Sequence, residues 1–347
     1  MPVSKVYILL AVFTLTALVF TCRKKPTEPP PGDTFGQGSP RPDCQCTATN
    51  GRTDMVLPQT VDTAHWGTPQ KVGAPINTNC PEDAIEISRD GQTLYFLFTT
   101  DLGKNLSATE LLQGKNGTYY ALRTGGPAEF SYPAFFNLRK GASQGGFDGA
   151  LSFAPSGDTV YFHSLRPENT GYQQSPKVDD AMDIYSSVLT NNVPGPAHNL
   201  GAPVNSVYLD GEHCISPDGT TLYFASTRPG GYGGADIYYS VRSGSSWLTP
   251  VNLGSTINTS AEEKMVNFAA NAPDTMYFVS DRNYMGSVIY RSVYSSGAWQ
   301  APSPVIQGQV GEPTLPADGS IMYFVHVLTD TSSDPVFGAD VYYVMRK

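Results

Sequence analysis

One phrase occurs five times in this chain and limits its fold more than any other feature. It is a tight turn running into an apolar strand that ends in Tyr-Phe. The copies are Ser88-Arg89-Asp90-Gly91-Gln92-Thr93-Leu94-Tyr95-Phe96, Ser156-Gly157-Asp158-Thr159-Val160-Tyr161-Phe162 and Ser216-Pro217-Asp218-Gly219-Thr220-Thr221-Leu222-Tyr223-Phe224. Two more are Asn271-Ala272-Pro273-Asp274-Thr275-Met276-Tyr277-Phe278 and Pro316-Ala317-Asp318-Gly319-Ser320-Ile321-Met322-Tyr323-Phe324. Pro presets φ and Gly accepts a positive φ, so each copy reads as a hairpin joining two strands. Five hairpins imply five similar units, and the Tyr-Phe pairs, 66, 62, 54 and 46 residues apart, leave room for four strands in each.

A second phrase marks the third strand of a unit. It appears as Asp183-Ile184-Tyr185, Asp236-Ile237-Tyr238 and Asp340-Val341-Tyr342, with looser versions at Val288-Ile289-Tyr290 and Thr118-Tyr119-Tyr120. The three tryptophans carry a third phrase: Trp66-Gly67-Thr68-Pro69, Trp247-Leu248-Thr249-Pro250 and Trp299-Gln300-Ala301-Pro302. The last two follow a third strand and are fourth strands. The first precedes any complete unit, whereas Lys347 directly follows the last unit's third strand. Residues 64–72 therefore supply the missing strand and close a ring with no exposed sheet edge. The expected fold is all-β, a five-bladed β-propeller of four-stranded antiparallel blades closed by an N-terminal strand that completes the last blade.

Ser216-Pro217-Asp218-Gly219 with Leu222-Tyr223-Phe224, followed by Ser226-Thr227-Arg228-Pro229-Gly230-Gly231 and Asp236-Ile237-Tyr238, resembles the WD40-like repeat of TolB-type β-propellers. The resemblance spans residues 64–347. Such propellers usually have six blades, and the phrases here count five. What the resemblance implies is a periplasmic or envelope-associated binding scaffold without catalysis.

Composition agrees. Only 15% of residues are charged, too few for long solvated helices, and 40% are hydrophobic, enough for a core. A formal charge of −9 argues against nucleic acid, which needs clustered Lys and Arg. Residues 6–21 form an apolar run behind Lys5, long enough for a signal peptide and short for a membrane span. The run ends at Val19-Phe20-Thr21-Cys22, which is similar to the lipobox of bacterial lipoproteins, in which such a Cys is acylated. Ordinary cleavage and an uncleaved anchor are the alternatives. The expected organisation is a signal peptide at 1–21, a lipidation site and Pro-rich linker at 22–58, and the propeller at 59–347. Export to the periplasm or outer membrane, with a lipid anchor in the membrane, follows. Cys44, Cys46, Cys80 and Cys214 then remain as disulfide candidates.

Candidate binding residues gather on one face. Acids stand at the entry to each first strand: Glu82 and Asp83, Asp148, Asp210 and Glu212, Glu262 and Glu263, Glu312. Arg166, Arg228 and Arg282 follow the Tyr-Phe pairs at a common offset, and His213 lies beside Cys214 on a channel-lining strand. These acids read either as a pocket for a cationic group, a sugar or Ca²⁺, or as repeated structural partners of Arg and backbone amides. No other cofactor and no catalytic residue is indicated: Gly141-Ala142-Ser143-Gln144-Gly145 matches a nucleophile elbow but lies in an inter-blade loop with no helix after it. Tyr208, Tyr232 and Tyr284 are expected on the loop face, where aromatic rings stack on sugars or peptides. The sequence thus points to a non-catalytic envelope scaffold for a protein, peptide or glycan. The alternative is a glycoside hydrolase-like enzyme, which would use two channel-mouth carboxylates.

Overall fold

The structure, a computed structural model, describes residues 38–42, 53–98, 117–140, 147–172, 182–283, 286–329 and 336–347. Cys22, Cys44, Cys46, Tyr284 and the 141–145 motif lie outside the described residues. No helix occurs among those described, and the strands form five antiparallel sheets. Blade 1 comprises Glu82–Ile87, Thr93–Phe98, Gly117–Leu122 and Ala134–Phe135. Blade 2 comprises Phe147–Phe153, Thr159–Leu165, Met182–Thr190 and Val193–Asn199. Blade 3 comprises Asp210–Ile215, Thr221–Ser226, Asp236–Ser243 and Val251–Asn252. Blade 4 comprises Glu263–Phe268, Thr275–Ser280, Val288–Ser295 and Ser303–Gln307. Blade 5 has Val310–Thr314, Ile321–Thr329 and Val336–Met345, and Gln70–Lys71 is its fourth strand. Consecutive first strands contact one another around the ring, the fifth meeting the first.

The N-terminal strand closes the ring. Gln70 pairs with Tyr343 and Lys71 with Tyr342, and Trp66 bridges to Arg346. Three short strands were not anticipated: Ser246–Trp247 and Ala298–Trp299 pair back on the third strands of blades 3 and 4, and Gln59–Thr60 pairs with Ser303–Gln307 at the outer edge of blade 4, whose sheet thereby has six strands. The core lies between blades, where neighbouring sheets bury both faces. Trp66, Val72, Ile76 and Cys80 of the N-terminal segment join the cluster that spans blades 4, 5 and 1. Trp66 is 1% exposed and meets Tyr277 of blade 4 edge-on.

Two local devices recur. In the turns, Gly91, Gly157, Gly219 and Gly319 take φ of +71, +73, +77 and +61°, the region only Gly enters freely. In the first strands, Ala84, Ala150, Glu212, Met265 and Glu312 sit at one equivalent position with φ between 47 and 57°. For residues with a Cβ this conformation costs roughly 1–2 kcal/mol each. Each lies within a β-bulge, where the register shifts, for example between Asp83 and Glu86 and between Gly311 and Thr314. The bulges turn inner side chains toward the amides of the next blade: Glu312 Oε2 accepts from Ile85 N at 2.9 Å and Ser152 Oγ from Ile215 N at 3.0 Å.

Candidate functional site

The predicted mouth acids separate into two layers. Glu82, Asp148, Asp210 and Glu263 occupy the same register, opposite the end of the second strand. They are the opening residues of the strands themselves, and none is more than 1% exposed. Asp210 accepts from the amide and hydroxyl of Ser206, both at 2.6 Å, from Ser226 Oγ at 2.7 Å and from Arg228 Nη2 at 2.6 Å. Glu263 repeats this with Thr259 N at 2.6 Å, Thr259 Oγ1 at 2.8 Å, Ser280 Oγ at 2.7 Å and Arg282 Nη2 at 3.3 Å. Asp148 is held by Ser164 Oγ at 2.7 Å, Arg166 Nη2 at 3.0 Å and Arg139 Nε at 3.4 Å.

Each of these arginines also donates to a backbone carbonyl, of Leu138, Val204 or Ile257, and lies over two rings of its own blade. Arg166 stacks on Phe162 and Tyr185, Arg228 on Phe224 and Tyr238, and Arg282 on Phe278 and Tyr290. The Tyr-Phe and Asp-Ile-Tyr phrases thus build the seat of the Arg that neutralises the acid.

Blade 1 has Thr100 where the others place this Arg. Arg41 of the N-terminal segment takes its role. Arg41 Nη1 stands 3.6 Å from Glu82 Oε1 and donates to the Ile76 carbonyl at 2.9 Å, while its guanidinium lies 4.7 Å from the Phe98 ring centroid. In blade 5 the register position of the acid is Val310, opposite His326. There Asp54 enters from outside the blade and meets His326 Nε2 at 2.6 Å. The segments 38–42 and 53–58, within the stretch read as a linker, therefore lie on the propeller.

Charge state follows the partners. Burial alone would raise Asp148, but Arg166 and Arg139 outweigh it and hold the carboxyl below its ordinary value. Burial lifts Asp210 despite Arg228, and pushes Glu82 to about 8, because Thr78 and the more distant Arg41 only partly offset it.

The second layer lines the channel. Glu312 is displaced from the mouth ring: it lies two residues further in, level with Glu212, and Asp83 is one residue beyond Glu82. Glu212 and Glu312 are raised well above the carboxylate range, foremost by burial and further by Asp83, while Lys264 partly offsets Glu212. Lys264 donates to Glu262 at 2.9 Å. His213 and the unanticipated His163 are buried with rings 6.5 Å apart, and burial lowers them to about 4 and about 3, so both are neutral at pH 7. The void among Ala84, Ala150, Glu212, Met265 and Glu312 measures ≈ 30 Å³, room for one or two waters and not for a sugar ring. Among the described residues no group of three or more His, Cys, Asp or Glu is placed to hold a metal ion.

Cys214 corrects the disulfide expectation: it is free, buried and raised to about 12 by burial, beside Ser152 Oγ at 3.8 Å. Cys80 is disulfide-bonded, to a partner outside the described residues. Tyr208 and Tyr232 are exposed.

Sequence reasoning missed the asparagines that fasten consecutive blades. Asn205 bonds both the amide and the carbonyl of Ile184, Asn258 those of Ile237, and Asn77 those of Val341. The signal was present as Gly73-Ala74-Pro75-Ile76-Asn77-Thr78, Gly201-Ala202-Pro203-Val204-Asn205-Ser206 and Gly254-Ser255-Thr256-Ile257-Asn258-Thr259, each placing its acid five residues after Asn.

No family model and no curated protein matches the sequence. Solved structures do match in fold. TolB from Acinetobacter baumannii is 13% identical with a TM-score of 0.43, covering 73% of this chain, which spans only 53% of that protein's length. A putative TolB from Agrobacterium tumefaciens is 16% identical with a TM-score of 0.45, over 91% of each chain. A thermostable family-43 glycoside hydrolase is 14% identical with a TM-score of 0.51, over 79% of this chain and 91% of that one. The chain is similar to TolB-like propellers and to propeller glycoside hydrolases, and at these identities the likeness is one of fold.

Proposed function

We propose that this chain is a non-catalytic binding scaffold of the bacterial cell envelope, taking an envelope protein, a peptide or a glycan on the loop face around the channel. One observation carries the reading. The mouth carboxylates Glu82, Asp148, Asp210 and Glu263 are occupied by Arg, Ser, Thr and backbone donors, so they have no free valence for a substrate. What the loop face offers instead is exposed ring surface at Tyr208 and Tyr232. Export is supported by the apolar run at 6–21 and by the disulfide at Cys80, a bond of oxidising compartments. Cys22 is the proposed lipid attachment point. Cross-linking in the native envelope followed by affinity capture should recover a partner that the Tyr208→Ala/Tyr232→Ala double variant loses. Capture that is insensitive to this variant would sink the reading, and an N-terminal peptide mass without acyl chains at Cys22 would remove the anchor.

A second reading, a carbohydrate-active enzyme, would have to draw on Glu212 and Glu312, whose carboxyls burial raises well above the ordinary range, and would need the channel beside them to widen beyond its one or two waters to admit a sugar ring. Aryl-glycoside hydrolysis abolished by Glu212→Gln and by Glu312→Gln would replace the first reading.

A further inference from the structure

The groove between blades 3 and 4, on the face of the Pro-Asp-Gly turns, departs from the repeat in two independent ways. Where the other blades carry a tryptophan, it fills the space beside the Tyr-Phe tyrosine of the preceding blade: Trp247 meets Tyr161 and Trp66 meets Tyr277, each at 6.2 Å between ring centroids, whereas in blade 2, which has no tryptophan, Phe153 of the first strand meets Tyr95 at 4.8 Å. Trp299 does not reach Tyr223. Phe268 takes that place, 5.1 Å from Tyr223, and Trp299 instead packs on Phe268 at 6.2 Å and on Tyr294 at 5.3 Å, within its own blade. The turn of blade 4 is the second departure. In blades 1, 2 and 3 a Ser hydroxyl holds the turn Asp, as Ser156 Oγ holds Asp158 at 2.6 Å, and Ser320 N holds Asp318 at 3.0 Å in blade 5. Blade 4 has Ala272 in place of Ser156 and Pro273 in place of Gly157, and Asp274 stands exposed at the groove's edge.

The result is a cavity of ≈ 470 Å³ whose walls include Tyr223, Tyr239, Tyr294, Trp299, Thr256 and Asp274. Tyr294 is 44% exposed, and Asp274 is the one ionised side chain of the lining. Sites where a repeat breaks its own rules without a packing gain are where function is expected.

We propose that this groove binds a neutral saccharide chain. Sugar C–H faces pack on aromatic rings, while sugar hydroxyls both donate to a carboxylate and accept from Thr and Tyr hydroxyls. The single negative charge disfavours uronic and phosphorylated glycans over neutral ones, in keeping with the −9 charge of the chain. A proline-rich peptide also suits aromatic grooves, but polyproline offers Asp274 no hydrogen-bond donor, where each sugar unit offers several hydroxyls. The site lies on the face opposite the acid-bearing loops and does not depend on their function.

The full chain titrated with maltohexaose, cellohexaose, chitohexaose and decaproline, read by tryptophan fluorescence and calorimetry, tests this. Saturable binding of at least one saccharide is expected, weakened tenfold or more by Tyr294→Ala and by Asp274→Ala and unchanged by Val188→Ala, at an exposed position of blade 2. Tyr294 and Asp274 are exposed, so these variants should retain the wild-type melting curve. Binding by decaproline alone, no saturable binding by any saccharide, or binding indifferent to both groove variants overturns the assignment.

Discussion

Blades 2, 3 and 4 complete their acid–arginine clamps without the N-terminal segment, whereas blades 1 and 5 borrow the charged partner, Arg41 or Asp54, from it. In blade 3 the clamp is Asp210, Ser226 and Arg228, three residues of one hairpin. In blade 1 the same carboxylate position waits for Arg41, and in blade 5 the second strand waits for Asp54. Asp340 of blade 5 likewise binds Lys71 of the closing strand at 2.6 Å, where Asp183 and Asp236 bind Asn199 and Asn252 of their own blades. The seam of the ring is thus held by side chains as well as by strand pairing, and residues 38–42 and 53–58 belong to the fold. Self-completed blades carry their partners along with each repeat. Borrowed partners tie the stability of two blades to a stretch outside the repeats.

The sharpest way to break this comparison is to remove the borrowed parts. Deleting residues 60–72 takes away the fourth strand of blade 5 and the Trp66 plug, whose burial alone is worth about 3–5 kcal/mol by Trp→Ala analogy. Loss of the cooperative melt of the whole domain is expected, and an unchanged melting curve would refute closure.

Single clamps come next. Arg228→Ala leaves Asp210 buried beside only neutral donors and should cost about 3 kcal/mol in denaturant unfolding at pH 7. Arg41→Ala should cost less, about 1–2 kcal/mol, because Glu82, with its value near 8, is already largely protonated at pH 7 and needs no counter-charge. Equal losses would show that the borrowed clamp is as ionic as the intrinsic ones.

The last effect is in pH. Glu82 binds its proton more tightly folded than unfolded, so its contribution is present below the unfolded value near 4.5 and is lost as pH rises toward about 8. Glu212 and Glu312 act in the same direction. Asp148 has the opposite sign, since its lowered value makes stability fall only on acidification below the ordinary Asp range. His163 and His213, lowered by burial to about 3 and about 4, oppose this up to the ordinary His value near 6.5, so the melting temperature should decline by several degrees between pH 6.5 and pH 8, and Glu82→Gln should flatten part of that slope. A melting temperature that rises over the same interval would reverse the assignment.

Much of this architecture is legible in the repeats, because turn chemistry and period-two strands are local properties. The Tyr-Phe, Asp-Ile-Tyr and Trp phrases place third and fourth strands correctly, and the orphan Trp66 phrase predicts closure. The candidate site is less legible. Eight acids look equivalent in one dimension, yet a bulge with a left-handed residue in every first strand sends Glu82, Asp148, Asp210 and Glu263 to arginines and Glu212 and Glu312 into the channel. No pattern marks Arg41, which lies in a Pro-rich stretch with nothing repeated around it.

The sequence by itself determined the number of blades, their strand order, the closing strand and the seat of each intrinsic arginine, since turns and strands are local phrases that recur and the closing strand shows as one Trp phrase left over when they are counted. Only the tertiary structure decided which acids meet an arginine and which are raised by burial, that Asp54 meets His326 across 272 positions, and that the groove between blades 3 and 4 stays open. Such pairings depend on burial and on distance between parts of the chain that come together when the ring closes, and neither quantity is carried by the order of residues along a strand.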